Sequence, residues 1–212
     1  MVISIEEEGF FYQENAAVIV DSIIELFESG IKSFESYDQW QYDVPSSSLE
    51  ESYTHFNWYF EVSRAVVSDI TFEYSFFGLA GRDYFDEPSI TITIVIPKGK
   101  HQKKIKIDRA ELFDVVAHEL HHLAQNMENN SYDRSLKHTG ENASLSYLLD
   151  PYEIEAFHIG IRAQSQLSGK SFELIASSYI KEAWKETTQE HIDLIINAWK
   201  TTSFPVFKQN QS

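Results

Sequence analysis

The chain contains no cysteine among its 212 residues. Thiolate metal ligands, a catalytic thiol and a disulfide framework are therefore all excluded. Any transition metal would have to be bound through His, Asp or Glu side chains. Because a chain without disulfides is suited to a reducing compartment, we expect a cytoplasmic protein.

Long apolar runs are missing as well. A membrane-spanning helix needs about 18 or more consecutive apolar residues, and no stretch of this sequence approaches that length. The stretch MVISIEEEGFF at the N-terminus is acidic and lacks the apolar core of a secretory signal. The sequence therefore predicts neither a signal peptide nor a membrane partner.

Positive charge is scarce: 17 basic residues stand against 33 acidic ones, for a formal net charge of -16. Because nucleic acids and anionic membranes attract basic surfaces, this excess of acid argues against both as partners. Hydrophobic residues make up 42% and aromatic residues 14% of the chain, which is enough to build the core of one domain over residues 1–212.

Three segments can be distinguished within this single domain. Residues 1–50 are predicted to be helical, because NAAVIVDSIIELFESGIKSF has apolar residues at helical spacing and Gly30 is a typical stop. Residues 54–127 are predicted to hold a small sheet and a helix, and residues 148–201 further helices. The predicted fold class is α+β, mostly helical, with a small sheet or β-hairpin before the central helix.

The sheet is predicted from two kinds of pattern. FNWYFEVSRAVVSDITFEYSFF (56–77) is ambiguous, and we favour a helix followed by a strand near 70–77. SITITIVIP (89–97) alternates between Ile and Thr, and KKIKI (103–107) alternates again after a turn-like stretch. These two segments predict a β-hairpin.

Helix starts are predicted from capping residues. Glu111 lies three residues after Asp108, which is the spacing of a capping box. Gly169 is a natural helix terminator. Residues 128–147 are mostly polar and are predicted to form a loop. The predicted starts are Asp108, Asp150 followed by Pro151, Ser171, and Thr187 with Glu190 as a second box.

The stretch VVAHELHHLAQN (115–126) concentrates three of the eight histidines. Residues four apart on a helix lie one turn above each other, so the imidazoles of His118 and His122 can bind one metal ion. Glu119 lies on the adjoining edge, where its carboxylate can reach a water molecule activated by that ion. His121 lies off this face, and we interpret it as a surface residue or a support for a ligand.

A third ligand has to come from elsewhere, because a catalytic zinc site usually takes three protein ligands. DPYEIEAFHIGIRAQ (150–164) offers Glu153 and Glu155 on different helix faces. We favour Glu153, because small residues on its face would let this helix approach the histidine helix closely. That face continues through Ala156, Phe157, Gly160 and Ala163.

HELHH (118–122) and EIEA (153–156) together resemble the gluzincin type of zinc metallopeptidase. The order of a hairpin before the HExxH helix also agrees, and small phage and bacterial proteins with HELxH and P-x-E-I-E-A are similar. The resemblance implies a zincin-like fold and one zinc ion per chain. It implies that His118, His122 and Glu153 hold the zinc and that Glu119 is the general base.

Parts of the sequence depart from this resemblance. Residues 1–88 and 170–212 have no counterpart in it. Related families often have Asp or Asn four residues beyond the ligand Glu, where this chain has Phe157. A contact that orients a ligand is therefore either missing here or supplied from another position.

The activity implied is hydrolysis of a peptide bond in a peptide or protein substrate by metal-activated water. Glu119 would take a proton from this water and pass it to the leaving amine. Developing negative charge needs another donor, for which Tyr147, Tyr152 and His138 are candidates. The Ile-Thr strand could bind an extended substrate if it is exposed, or it could be fully paired inside the sheet.

Two other interpretations remain open from the residues alone. The chain could be a metal-binding interaction protein without catalysis, using its acidic surface to bind a basic partner. It could also hold no metal, with the histidines lying on an ordinary helix. The substrate, the oligomeric state and the identity of the metal are not determined by the sequence.

Overall fold

The computed structural model describes residues 5–36, 42–43, 53–54, 56–65, 74–82, 84, 88–129 and 145–201. Its helices are α1 (Ile5–Ser29), α2 (Arg109–Asn129), α3 (Leu145–Leu148), α4 (Pro151–Ser168), α5 (Phe172–Ala183) and α6 (Gln189–Thr201). Its strands are β1 (Ser33–Ser36), β2 (Tyr42–Asp43), β3 (Tyr53–Thr54), β4 (Asn57–Ala65), β5 (Ser75–Arg82) and β6 (Pro88–Pro97). The predicted α+β class is confirmed. None of the helices in these ranges has the length and apolarity that crossing a membrane requires.

The main sheet has the strand order β1-β4-β6-β5, and a separate small sheet pairs β2 with β3. Strand β6 is interior, parallel to β4 and antiparallel to β5, while β1 runs antiparallel to β4. The four isoleucines of β6 point to one face and are fully buried. This face is covered by helices, because α1 and α2 pack their apolar sides on it.

The prediction of a helix after residue 54 is wrong, because β4 occupies that stretch. Trp58 and Phe60 are buried, whereas Glu61 and Ser63 are exposed. This alternation follows the two-residue period of a strand, and burial on one sheet face outweighs the helical interpretation. The strand predicted near 70–77 exists as β5 but begins at Ser75, and residues 66–73 lie outside the described residues.

The predicted β-hairpin is also wrong. Strand β6 is paired on both sides, so KKIKI has no free edge beside it. A 3-10 helix, Gln102–Lys104, follows the turn instead, and Ile105 enters the core. The Gln102 side chain donates to the carbonyls of Phe27 (2.9 Å) and Ile31 (3.1 Å), which ties this segment to the end of α1.

The N-terminal segment contains more than the predicted helix. Helix α1 ends at Ser29, and Gly30 has a φ of 90°, a left-handed conformation that glycine adopts without strain. The chain then forms β1, which joins the main sheet beside β4. The segment predicted as helical over residues 1–50 therefore also contributes strands, because β2 lies within it as well.

The capping predictions are mostly confirmed. Asp108 accepts from the backbone N–H of Ala110, but Glu111 bonds to Tyr74 instead of closing a capping box. Asp150 caps α4, Gly169 ends it with a φ of 70°, and Ser171 caps α5. Thr188, not Thr187, accepts from the His191 N–H at the start of α6. The polar region was predicted as loop from residue 128, yet α2 continues to Asn129 and α3 begins at Leu145; residues 130–144 lie outside the described residues.

Two hydrophobic clusters fill the interior. The sheet cluster joins β4 and β6 to α1 and α2. The helical cluster joins α3, α4, α5 and α6, and its buried residues are Leu148, Phe157, Ile161, Ile175, Ala176, Ile180, Ile192, Ile195, Ile196 and Trp199. Helix α4 packs on α2, so it forms the seam between the two clusters.

Candidate metal centre

Three side chains from α2 and α4 converge at this seam. His118 and His122 lie one turn apart on α2, and their Nε2 atoms are 3.0 Å apart. Glu153, in the first turn of α4, brings its Oε2 to 3.5 Å from Nε2 of His118 and 3.4 Å from Nε2 of His122. These are the two histidines and the carboxylate that the sequence predicted as ligands.

The triangle of donor atoms matches what a metal ion requires. Ligand atoms bound at about 2.0 to 2.1 Å to one tetrahedral ion are separated by about 3.3 Å. The Oε2 atom of Glu153 is buried and has no hydrogen-bond partner within the described part of the chain. A buried carboxylate oxygen without a partner is costly, and a cation would satisfy it. His118, His122 and Glu153 could therefore hold a metal ion.

Close packing of the two helices brings Glu153 to the histidines. Ala156 and Gly160 are buried on the α4 face toward α2. A Cβ atom at Gly160 would lie 2.7 Å from the backbone oxygen of Asp114, closer than such atoms approach. The small residues on the Glu153 face thus permit the approach that the sequence analysis expected of them.

Burial and mutual contact shift the pKa values of the three groups. Burial raises the pKa of Glu153, but the adjacent imidazoles outweigh it and bring this pKa to about 2. Burial lowers the pKa of His118 to about 4. At His122 burial is outweighed by Glu153 and Glu119, and the pKa rises to about 8. An anionic carboxylate beside at least one neutral imidazole is a donor set suited to a divalent cation.

Glu119 lies between α2 and the edge strand β5. Its carboxylate accepts a hydrogen bond from the backbone N–H of Ala80. A Cβ atom at Gly78 would lie 2.5 Å from Cγ and 2.7 Å from Cδ of Glu119, so only glycine leaves room for this side chain. Burial, with a contribution from Glu153, raises the pKa of Glu119 to about 7.

Glu155 faces a different set of partners. Its Oε2 lies 3.4 Å from Nε2 of His121 and accepts from Nε2 of Gln125 at 2.9 Å. Gln125 also approaches Nδ1 of His122 at 2.9 Å through its Oε1. His121 is buried, so of the two roles left open for it, support is favoured over a surface position.

Phe157 occupies the position four residues beyond Glu153. Its ring lies edge-on to the His118 imidazole, with 4.7 Å between centroids, and stacks on Trp199 at 4.4 Å. The Trp199 indole N–H donates to the Leu148 carbonyl at 2.8 Å. An aromatic contact from the helical cluster therefore restrains one histidine.

Two tyrosines border the carboxylates. Burial and the neighbouring negative charge of Glu153 raise the pKa of Tyr147 above its ordinary value. Tyr179 on α5 contacts Phe157, and desolvation of its hydroxyl group, together with the negative charges of Asp114 and Glu153, raises its pKa. Tyr152 offers its carbonyl to Gln125; His138 lies outside the described residues.

The Ile-Thr strand is not an exposed docking edge, which decides between the two alternatives for it. It is β6, paired on both sides by β4 and β5. The neighbour of Glu119 at the edge of the main sheet is β5, which the sequence predicted as a strand near 70–77 but did not connect to the HELHH motif.

The sequence analysis missed Gln125, Gly78 and Tyr179. Gln125 could have been found, because it lies three residues after His122 and hence on the same helix face. Gly78 and Tyr179 are distant in sequence from the HELHH motif, and no local pattern connects them to it.

Comparison with models of known protein families, with curated proteins and with solved structures finds no match to this chain.

Proposed function

We propose that this chain is a zinc-dependent peptidase with a zincin-like architecture. The observation that carries the proposal is the triangle of His118 Nε2, His122 Nε2 and Glu153 Oε2, with a second acidic side chain, Glu119, beside it. Two imidazoles and one carboxylate form the ligand set of a catalytic zinc site that keeps one position open. One ion per chain is expected.

Zinc is favoured by the donor types. Nitrogen from imidazole with a single carboxylate suits zinc better than magnesium or calcium, which prefer oxygen ligands. When bound, the ion would supply Lewis acidity that lowers the pKa of water and polarises a carbonyl group.

Glu119 is the residue proposed to move protons. The Ala80 N–H holds its carboxylate, and Gly78 leaves the space for it. It would take a proton from the attacking water and return it to the leaving amine. Tyr147 and Tyr179 carry hydroxyl groups near Glu153, and either could donate to the negative charge that develops on the substrate carbonyl oxygen.

Substrate binding is proposed along β5. This strand is at the edge of the described main sheet and contacts Glu119. An extended peptide can add to such an edge through main-chain hydrogen bonds, which would bring its scissile bond near Glu119.

Elemental analysis of protein purified without a histidine tag tests the metal first. We expect one zinc per chain, lost in the double variant His118→Ala with His122→Ala. Glu153→Ala and Glu155→Ala form a matched pair on one helix, and only the first should lose stoichiometric zinc. Wild-type protein without bound zinc after zinc loading would reject the proposal.

Glu119→Gln tests the catalytic step, with cleavage of a peptide library as the readout. This isosteric change should keep zinc and the fold while lowering the cleavage rate about 100- to 10,000-fold. Equal cleavage by variant and wild type would contradict the assigned role. A zinc-loaded wild type that cleaves no peptide would favour a non-catalytic metal-binding protein instead.

A further inference from the structure

A buried polar network joins α2 to α4 beside the candidate metal centre. Gln125 is 6% exposed and lies at its middle. Its Nε2 donates to the Tyr152 carbonyl at 3.2 Å and to Glu155 Oε2 at 2.9 Å. Its Oε1 lies 2.9 Å from Nδ1 of His122. One amide thus contacts the backbone of α4, a carboxylate and an imidazole.

The partners of Gln125 determine which way its amide faces. A backbone carbonyl oxygen can only accept a hydrogen bond, so the NH2 group of Gln125 has to face Tyr152. The Glu155 oxygen on the same side is also an acceptor and favours the same orientation. The amide oxygen is then directed at His122, and only an N–H at Nδ1 can donate to it.

We propose that Gln125 is the positioning residue of the metal centre: it holds His122 in the tautomer with Nδ1 protonated, so that the Nε2 lone pair faces His118 and Glu153. This inference rests on the proposed metal site. Glu155 acts through Gln125 rather than as a ligand, and its contact with His121 fixes it from the other side.

Support for His122 comes from α2 and not from position 157 of α4. Phe157 offers no hydrogen bond, and its ring is engaged by His118 and Trp199. The orienting acceptor is supplied from the histidine helix itself, one turn beyond His122, and α4 contributes the groups that orient the acceptor. Outer contacts of this kind typically change metal affinity 10- to 100-fold.

Zinc affinity, measured by competition with a chelator, tests the first consequence. Gln125→Leu should weaken zinc binding about 10- to 100-fold relative to wild type. The double variant Gln125→Glu with Glu155→Gln exchanges the two side chains and restores an acceptor toward His122. Its zinc affinity should lie within about tenfold of the wild-type value. Gln164→Leu, about three turns beyond Glu153 on α4, is the matched control and should leave affinity unchanged.

The tautomer itself is measured by nitrogen NMR of the histidine rings in metal-free wild-type protein, in the alkaline range where His122 is neutral. We expect His122 to be protonated at Nδ1 in the wild type. In Gln125→Leu, we expect this tautomer to be no longer the single population. Protonation at Nε2 in the wild type would overturn the inference, as would unchanged zinc affinity in a folded Gln125→Leu variant. Because this readout needs no metal, it separates a failure of the Gln125 assignment from a failure of zinc binding.

Discussion

The sheet cluster and the helical cluster differ in the groups that lie at their centres. In the sheet cluster the four isoleucines of β6 pack with Leu112 and Val116 of α2, and aromatic residues such as Trp58 and Phe60 lie beside them. The helical cluster is organised around the stacked rings of Phe157 and Trp199. Aliphatic side chains fill space with little orientational preference, whereas aromatic rings prefer defined geometries.

The candidate metal centre draws on both clusters. Its histidines belong to α2, which packs in the sheet cluster, and Glu153 belongs to α4, which packs in the helical cluster. Phe157 connects the aromatic stack to the His118 ring. We infer that the sheet cluster positions α2 with its two histidines, while the helical cluster determines where Glu153 lies relative to them. The four predictions below test that division.

Trp199→Ala should have the largest effect. Removal of this fully buried side chain should lower the free energy of unfolding by about 3 to 5 kcal/mol, measured by denaturant titration. It should also weaken zinc binding, because Phe157 loses its stacking partner. Ile23→Ala, in a helix that contributes no ligand, should cost about 2 to 5 kcal/mol without a change in zinc affinity of the folded protein. If both variants bind zinc like the wild type, the helical cluster does not determine the site.

Zinc binding should stabilise the folded protein, in which the two clusters pack against each other, because the ion binds the folded state. At a free concentration about a thousandfold above its Kd, zinc should raise the free energy of unfolding by about 4 kcal/mol. The His118→Ala with His122→Ala variant should show no such gain, whereas Glu119→Gln should keep it. Thermal unfolding with and without zinc measures the difference. A gain of equal size in the double-histidine variant would indicate binding at another place.

Substitutions at two glycines should separate the packing of α4 on α2 from the position of Glu119. Gly160→Ala should force α4 away from Asp114, cost about 1 to 3 kcal/mol and weaken zinc binding. Gly78→Ala should displace Glu119 and lower the cleavage rate about 100-fold while zinc affinity is retained. Gly81→Ala is the control on the same strand, because a Cβ atom there meets nothing within 4 Å. Loss of zinc in Gly78→Ala would show that the two effects are not separable.

Asp114→Asn should have the smallest effect, and a pH-dependent one. Burial and the charge of Glu111 raise the pKa of Asp114 to about 7 in the folded protein, above its ordinary value of 3.8. The folded state therefore holds this proton more tightly, so stability falls as the pH rises from the ordinary pKa of 3.8 toward about 7, and the full cost of Asp114 is present above that pH. The variant should be more stable than wild type by about 1 kcal/mol above that pH and similar to it in acid, where both side chains are neutral. Parallel pH profiles of the two unfolding free energies would contradict the shift.

The elements defined by local pattern were predicted well. The ends of α1 and α4, and the starts of α2 and α5, follow from glycine and capping residues whose effect is confined to one turn. Strand β4 and the segment after β6 were predicted wrongly, because their conformation depends on which strands lie beside them. Aromatic and β-branched residues fit a helix or a strand, and only pairing in the sheet decides between them.

The ligand triad was predictable in part. His118 and His122 share a face by helix geometry alone, and Glu153 was favoured over Glu155 from the small residues on its helix face. The partners of Glu119 and His122 were beyond such reasoning, because Gly78 is on a distant strand and the Gln125 amide is oriented by a backbone carbonyl of another helix.

The sequence by itself determined that any metal here is bound without thiolates and that two imidazoles and a carboxylate lie along one helix, since those properties depend on composition and on a period of 3.6 residues. The tertiary structure alone decided that Glu153 meets the imidazoles, that Glu155 reaches them only through Gln125, and that β5 lies against Glu119. These contacts join segments far apart in the chain, and their geometry is set by how two hydrophobic clusters pack against each other.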